Sequence, residues 1–428
     1  AMTADQVIWS EQSRLHLSYI GTVDADGDVN GTFTVVSDID GNTDVASSNH
    51  GIRVNDMVLI AQAGVVVKAL VVETPESNVV SVEPYATAAL STLSDGTATL
   101  LVIGSEYGKG QSYSDFTGTH SAERRTALEP SFKSFTNKPI IMKDYYEVSG
   151  SDASQIGWVE VTGEEGQSGY LWYLKAEGDT RARFNDYLEM SMLEAEKADA
   201  NSAIGFADKQ IRGAADSGVN AGTEGLFAAI ESRGNVTSGI SGVNAATDLA
   251  EFDAILAEFD KQGAIEENML FLNRASSLAI DDMLASMNSY GAGGTSYGVF
   301  ENDEDMALNL GFSGFRRGSY DFYKSDFRYL NDKATRGGIN DRAGSAAIRG
   351  VIIPAGVSNV YDQALGKNLK RPFLHVRYRA SRTDDRRMKT WVTGSVGAAT
   401  SALDAMQLHF LSERCLVVQG ANNFMLMK

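Results

Sequence analysis

Between residues 20 and 104 the apolar side chains come in short runs rich in β-branched residues, at 32–36, 57–60, 65–72 and 79–82. Such side chains suit a pleated surface, and clusters of Gly, Asp and Asn separate the runs at turn spacing. The pattern predicts a small all-β barrel or sandwich with acidic turns. From residue 179 the period changes. Phe184, Leu188, Met192 and Ala195 recur every three or four residues, so one helical face is apolar and a helix is predicted over 179–209, capped by Asp179. Glu177 with Arg181 and Asp179 with Arg183 add acid-then-base pairs four residues apart. At 1.5 Å per residue such a helix is about 45 Å long.

A second helix is predicted from Asp248, with Asp248 and Glu251 as a capping box, Leu249, Phe252, Ile255, Leu256 and Phe259 on one face, and Gly263 as its stop. Residues 268–273 read as a buried strand and 276–288 as a further helix, which indicates a compact α/β layer. The final part is strand-rich. Residues 348–353 are continuously apolar up to Pro354, and Leu374, Val376 and Tyr378 alternate, as do Met406, Leu408 and Phe410. Residues 416–419 and 424–427 are expected to complete an antiparallel sheet. Two stretches fit neither texture. Residues 1–19, with Val7, Ile8 and Trp9, are too apolar for a free tail and read as an extended arm that docks on something. Residues 111–176 read as long strands around Phe132, Phe135, Tyr145, Tyr146 and Trp158, with a glycine-rich tip at 163–169. A two-stranded arm of this kind is marginal alone and needs a neighbour to lie on.

Charge divides the chain as well. Residues 1–110 hold 14 acids and 4 bases, 111–314 hold 33 and 14, and 315–428 hold 9 and 19. Separated signs of this kind point to complementary surfaces, within one molecule or between copies. The whole chain of 428 residues carries a net charge of −19, which argues against gathering nucleic acid by its overall field. A single cysteine, Cys415, excludes an internal disulfide and a cysteine-based zinc cluster. No membrane span and no secretory leader are expected, as no long apolar run occurs. Ala1 stands ahead of Met2, either as a remnant of expression or as the end left when a protease trims a longer precursor.

Motifs for chemistry are sparse. The five histidines (His16, His50, His120, His375 and His409) share no metal-ligand spacing and read as structural or surface residues. Gly108 and Lys109 lack the following Ser or Thr of a phosphate loop, and residues 311–314 lack the last glycine of a nucleophile elbow. Cys415, beside Leu416 and Val417, reads as a buried inert thiol. Asp26, Asp28 and Asn30, followed by Gly31, match the opening of a calcium loop. Ser37 stands where the closing bidentate acid belongs, so the stretch reads first as an acidic hairpin turn and only weakly as a cation site. No catalytic residue and no cofactor are expected. Nine bases between Lys367 and Lys389, among them Arg377, Arg379, Arg386 and Arg387, favour contact with another protein surface over phosphate.

The order of the segments carries a resemblance. Residues 145–160, opening with Tyr145, Tyr146 and Glu147 and closing with Trp158, Val159 and Glu160, run into 170–177 and then into Arg181, Arg183, Phe184 and Leu188. This text is similar to the extended loop and spine helix of the major capsid proteins of tailed bacteriophages, the Hong Kong 97-type shell fold. Residues 408–413 and 416–420 look like that family's last strands. The resemblance covers about 110–428. It implies an α+β capsid fold with an N-terminal arm (1–19), an extended loop (111–176), a spine helix with part of a peripheral domain (177–215), an axial domain (216–360) and returning peripheral strands (361–428). The segment 20–110 lies outside the minimal fold and looks like an inserted β module. The implied function is a shell subunit that assembles into hexamers and pentamers around packaged double-stranded DNA. Its partners would be itself, a portal and decoration or scaffolding proteins, in a virion assembled in the host cytoplasm. Some relatives crosslink a lysine to an asparagine; Lys133, Lys138 and Lys143 lie in the corresponding region, but nothing marks one as reactive. A nanocompartment shell of the encapsulin kind and a secreted β-rich adhesin or binding module are the competing readings. The aromatics Phe132, Phe135, Tyr145, Tyr146 and Trp158 are expected on a neighbouring subunit, with nearby acids facing Arg377, Arg379, Arg386 and Arg387 of another copy.

Overall fold

The β-branched runs of the first third close on themselves. After β1 (Val7–Gln12) come β2 (Ser18–Asp24), β3 (Gly31–Asp38), β4 (Asp56–Gln62), β5 (Val65–Glu76), β6 (Val79–Pro84) and β7 (Gly96–Ser105). In this computed structural model the six strands β2 to β7 form a closed barrel in the order β2-β3-β6-β5-β4-β7. Alternation decides which residues point inward. Phe33, Val58, Ile60, Val67, Val71, Val80 and Leu100 fill the interior, while the residues between them face out. The structure describes residues 2–12, 14, 18–24, 31–47, 50–76, 78–86, 90–113, 132–154, 161–162, 168–169, 172–198, 222–288, 314–362, 367–396 and 399–428.

The acids of the barrel turns have local structural work. Asp38 Oδ1 accepts the backbone N–H groups of Asp40 (3.0 Å) and Asn42 (2.8 Å), and Asp56 Oδ2 accepts that of Arg53 (2.9 Å). Each carboxylate thereby closes its own turn. The hairpin between β4 and β5 has two central residues, Ala63 and Gly64, both at positive φ (48° and 87°). That geometry suits the sheet twist, but alanine tolerates it poorly. Ala63→Asn, which accepts the left-handed region more readily, is expected to stabilise the barrel by about 1 kcal/mol, seen as a raised thermal unfolding midpoint.

The chain divides into two compact units, Ser10–Ser134 and a second made of Ala1–Trp9 with Phe135–Lys428. The first therefore runs beyond the expected 20–110 at both ends. The remaining strands are β8 (Phe132–Asn137), which pairs with β1, then β9 (Ile140–Ser149), β10 (Val161–Thr162), β11 (Ser168–Gly169), β12 (Asn235–Thr237), β13 (Glu267–Leu272), β14 (Gly314–Arg317), β15 (Tyr320–Asp326), β16 (Gly350–Pro354), β17 (Val357–Asp362), β18 (Lys367–Pro372), β19 (Leu374–Tyr378), β20 (Lys389–Gly394), β21 (Ala405–Val418) and β22 (Met425–Met427). The helices are α1 (Gly150–Ala153), α2 (Trp172–Glu194), α3 (Leu226–Arg233), α4 (Ala245–Gln262), α5 (Arg274–Asn288) and α6 (Arg336–Ala343).

One layer of the larger unit is a six-stranded mixed sheet, ordered β12-β22-β16-β13-β15-β14, with α4 and α5 on one face. Phe252, Ile255 and Phe259 of α4 meet Leu270, Phe322 and Met425 of the sheet. The expected capping box proves to be something else. Asn244 caps α4 by accepting the N–H of Thr247, and Asp248 lies inside the helix and buried, where it accepts the N–H of Gly242 (2.8 Å). Glu251 accepts the N–H of Ser241. The two acids thus tie down the loop before the helix. Gly263 ends α4 in the left-handed conformation. Strand β22, the chain's last, joins this six-stranded sheet beside β16 rather than the sheet of its neighbour β21.

The second layer is the four-stranded sheet of β9, β19, β20 and β21, with α2 laid on one face. Phe184 and Leu188 of α2 pack on Phe410. The helix differs from the expected 179–209: it begins at Trp172, ends at Glu194, and is about 35 Å long. Asp179 is therefore interior to it. Residues 195–198 are not helical, and the rest of the expected helix lies outside the described residues. The helix stops because its end is engaged: Ala195 accepts the N–H of Gly225 (2.8 Å), and Glu194 accepts Tyr329 (2.8 Å) and Arg336 (2.7 Å). Its arginines also reach across to the sheet. Arg183 lies 3.7 Å from Asp144, and Arg181 sits over the Phe410 ring.

Arg317 and Asp253 link β14 to α4 through hydrogen bonds of 2.5 and 2.8 Å. The guanidinium holds the Asp253 carboxyl below the usual carboxylate range, against a smaller opposing effect of burial. The pair's contribution is complete above the unfolded carboxyl value of about 4 and fades as pH falls through the lower folded value. Asp253→Asn is expected to lower the thermal midpoint at neutral pH, and the gap to the parent should narrow toward pH 2 in a pH-resolved melting series.

Candidate assembly surfaces

The N-terminal arm docks within its own chain. Met2 donates its N–H to the Tyr378 carbonyl (2.8 Å), and Met2, Val7 and Trp9 are buried with Cys415 and Val417. Trp9 packs on Phe135 with ring centroids 6.2 Å apart, and the Arg233 guanidinium lies over both rings, at 4.9 Å from Phe135 and 5.6 Å from Trp9. The same guanidinium donates to Glu224 (2.8 Å). Beside it stands Asn137, buried and fully used. Its amide donates to the carbonyls of Leu416 (2.7 Å) and Glu224 (3.0 Å), and its oxygen accepts the N–H groups of Glu224 and Lys138, each at 2.8 Å. Nothing in the local sequence singles out Asn137 or Arg233, because Asn137 meets Glu224 and Leu416, 87 and 279 residues away, and Arg233 covers rings that β1 and β8 supply. Asn137→Leu would take the partner from two carbonyls and two N–H groups. We expect a loss of about 2–3 kcal/mol, with the arm becoming cleavable by limited proteolysis before the rest of the chain unfolds.

The expected contact residues fall into three groups. Phe132 and Tyr145 are exposed, at 63% and 56%, as is Ile141 of β9 at 55%, which sequence reasoning passed over. Phe135 is half-buried by Trp9 and Arg233 of its own chain, and Tyr146 is half-buried. Trp158 lies outside the described residues. Strand β9 is also less in need of a neighbour than its composition implied. It pairs with β21 over ten residues, from Ile140 opposite Arg414 to Ser149 opposite Ala405. On the sheet face away from α2, Tyr145, His409 and Trp391 form a ladder of rings, with centroids 5.9 and 5.1 Å apart. The imidazole is fixed by Thr393 Oγ1, 2.7 Å from Nε2.

The arginines engage their own chain. Arg379 donates to Asp5 (2.5 Å), Arg386 forms a close ion pair with Glu413 (2.6 Å), and Arg387 lies over the Tyr378 ring (5.1 Å). Arg377 is half-buried, and burial pulls its pKa down, with the nearby positive charge of Arg371 adding to the effect. Cys415 is buried, and burial pushes its thiol up to about 12, which makes it a poor nucleophile at neutral pH. Asp26, Asp28 and Asn30 lie outside the described residues. Among the described residues no three of His, Cys, Asp and Glu stand close enough to hold a metal ion, and no helix is long and apolar enough to cross a membrane.

A groove of about 950 Å³ opens between α2 and the two sheets. Phe271, Ile353, Leu374 and Val376 form its floor, with Asp186 and Glu189 of α2 on its rim. Its walls suit apolar side chains better than a charged small molecule.

No protein-family model and no curated protein matches the chain. Solved structures do resemble it. The capsid of cyanophage P-SCSP1u is 8% identical, with a TM-score of 0.37 over 74% of this chain and 80% of that one. The mature capsid of bacteriophage PhiM1 is 9% identical, with a TM-score of 0.36 over 73% and 78%. A structure from Mycobacterium phage Ogopogo is 13% identical, with a TM-score of 0.34 over 74% and 83%. At such scores the likeness is one of coarse outline.

Proposed function

We propose that this chain is a major capsid protein of a tailed bacteriophage, a self-assembling shell subunit without catalysis. The observation that carries the reading is the set of large apolar side chains held out on β8 and β9: Phe132, Ile141 and Tyr145. Ile141 and Tyr145 sit on an outer strand of the sheet that bears α2, and Phe132 starts the strand paired with β1; a monomer would present them to water as an aggregation hazard. Identical neighbours remove that hazard. Burial of one such side chain is worth roughly 1.5–3 kcal/mol, so a few per contact suffice when every subunit makes several contacts. The groove beside α2 is an apolar receptor of the right kind for them.

Within this reading, residues 111–176 act as the extended loop, α2 as the spine helix, the six-stranded sheet with α4 and α5 as the axial domain, and the four-stranded sheet as the peripheral domain. The barrel is an inserted module. Copies gather into hexamers and pentamers that close an icosahedral shell around double-stranded DNA, with a portal and decoration or scaffolding proteins as partners. A strongly acidic subunit suits a wall along which DNA slides without sticking. Because Arg379, Arg386 and Arg387 already have intrachain partners, the aromatic contacts supply the affinity and rim charges set register, at about 0–1 kcal/mol per exposed pair. Expressed chain viewed by electron microscopy is expected to show closed shells or capsomers, with DNA inside particles from the natural source. A chain that stays monomeric under all conditions would overturn the reading, and particles filled with protein cargo would move it to a nanocompartment shell.

A further inference from the structure

The outside of the barrel has one face unlike the rest. Strands β5, β4 and β7 lie side by side in that order, and their register brings Val66 opposite Ala61, and Leu59 opposite Leu101. Along these strands the outward positions alternate with the buried ones. They include Leu59, Ala61, Val66, Leu70, Leu101 and Ile103, with Lys68 as the one charged residue among the outward positions from 57 to 61, 66 to 72 and 97 to 103. Val66, Leu101 and Ile103 are 58%, 37% and 50% exposed. No acid stands at these positions, although the first 110 residues carry 14 acids against 4 bases. The nearest acids stand where the strip ends, Asp56 at the start of β4 and Glu73 and Glu76 at the end of β5, and others lie at turns, as Asp38 and Asp40 do, or on other strands, as Asp24 and Glu83 do.

We propose that this face is a contact between identical copies of the chain, packed against the same three strands of a second barrel. Charge points to a like partner. Two such acidic modules repel each other where their acids face, and across this strip they meet without opposing carboxylates. Area points the same way. Three strands about 4.8 Å apart and about 20 Å long present about 300 Å² per copy, or about 600 Å² for the pair. A stable free-standing complex needs about 1,200 Å². The contact is therefore too small to recruit a free partner, but large enough to form between copies already held close by other contacts. This step rests on the proposed shell function, which supplies such copies. Isologous packing of two sheets also gives the apolar rows a complement of their own shape and removes the patch from water.

Cysteine crosslinking tests the contact, since Cys415 is buried and unreactive and leaves an introduced thiol as the reporter. Leu101→Cys and Val66→Cys chains would be oxidised mildly, both in assembled particles and as concentrated dispersed chain, beside a Val36→Cys control on the exposed surface of β3. Covalent dimers from Leu101→Cys or Val66→Cys, with none from Val36→Cys, are expected in particles, and adding Leu101→Glu to Val66→Cys should abolish them. Particles without such dimers, or with equal dimers from the control, overturn the contact and leave the shell reading standing. Dimers from dispersed chain that forms no particles support the contact and overturn the shell. Failure of both dimers and particles overturns both.

Discussion

Strand β21 is the element on which the larger unit depends. Its nine residues from 410 to 418 are all buried, and it is the only strand of its sheet long enough to pair with β9 along one edge and with β20 and then β19 along the other. One face receives α2 at Phe410, and the other receives the N-terminal arm at Cys415 and Val417. Leu416 and Val418 enter the core that also holds Leu226 and Phe227 of α3 and Leu426 of β22. Segments distant in sequence thereby share one surface, so the arm, the helix and the six-stranded layer are fixed by contacts that none of them contains alone.

Burying such a strand is expensive where it carries charge. Glu413 and Arg414 are both about 6% exposed. Arg379 and Arg386 flank Glu413, while Arg414 hydrogen-bonds Ser412 Oγ (3.0 Å) and lies over the Tyr378 ring (5.1 Å). The basic group at 367–389 is thus partly consumed in neutralising the strand it surrounds. A buried charge without its partner costs far more than an exposed pair returns, so these arginines are first of all parts of the fold. What is left for contacts with other molecules is chiefly apolar: the side chains held out on β8 and β9, the groove beside α2, and the apolar strip on the outside of the barrel.

The two units solve the same problem differently. The barrel has no free edge, because its sheet closes, and Asp38 and Asp56 are spent on turns. The larger unit keeps open sheets: the six-stranded one is packed by α4 and α5 on one face and by the core around α3 on the other, and the four-stranded one by α2 on one face and by the arm over part of the other, beside the ladder of rings. That contrast explains why the barrel's outward residues can be read strand by strand, whereas the surface of the larger unit depends on which helix or arm happens to cover it.

The sequence by itself determined the local texture. Short runs of β-branched residues between turn residues marked the barrel strands, and the spacing of Phe184, Leu188 and Met192 marked the buried face of α2, since side-chain type and helical repeat are properties of neighbouring residues. It also identified Cys415 as buried, from the apolar residues beside it. Tertiary structure decided where elements end and what they meet. Helix α2 stops at Glu194 because Gly225, Tyr329 and Arg336 take its last groups, and Asn244 caps α4 while Asp248 and Glu251 serve the loop before it. The pairing of β9 with β21, the arm's anchorage on Phe135 and Arg233, and the placing of β22 in the other sheet join residues up to hundreds of positions apart. No local pattern encodes such contacts, because their free energy belongs to the pair and exists only once the chain has brought both partners together.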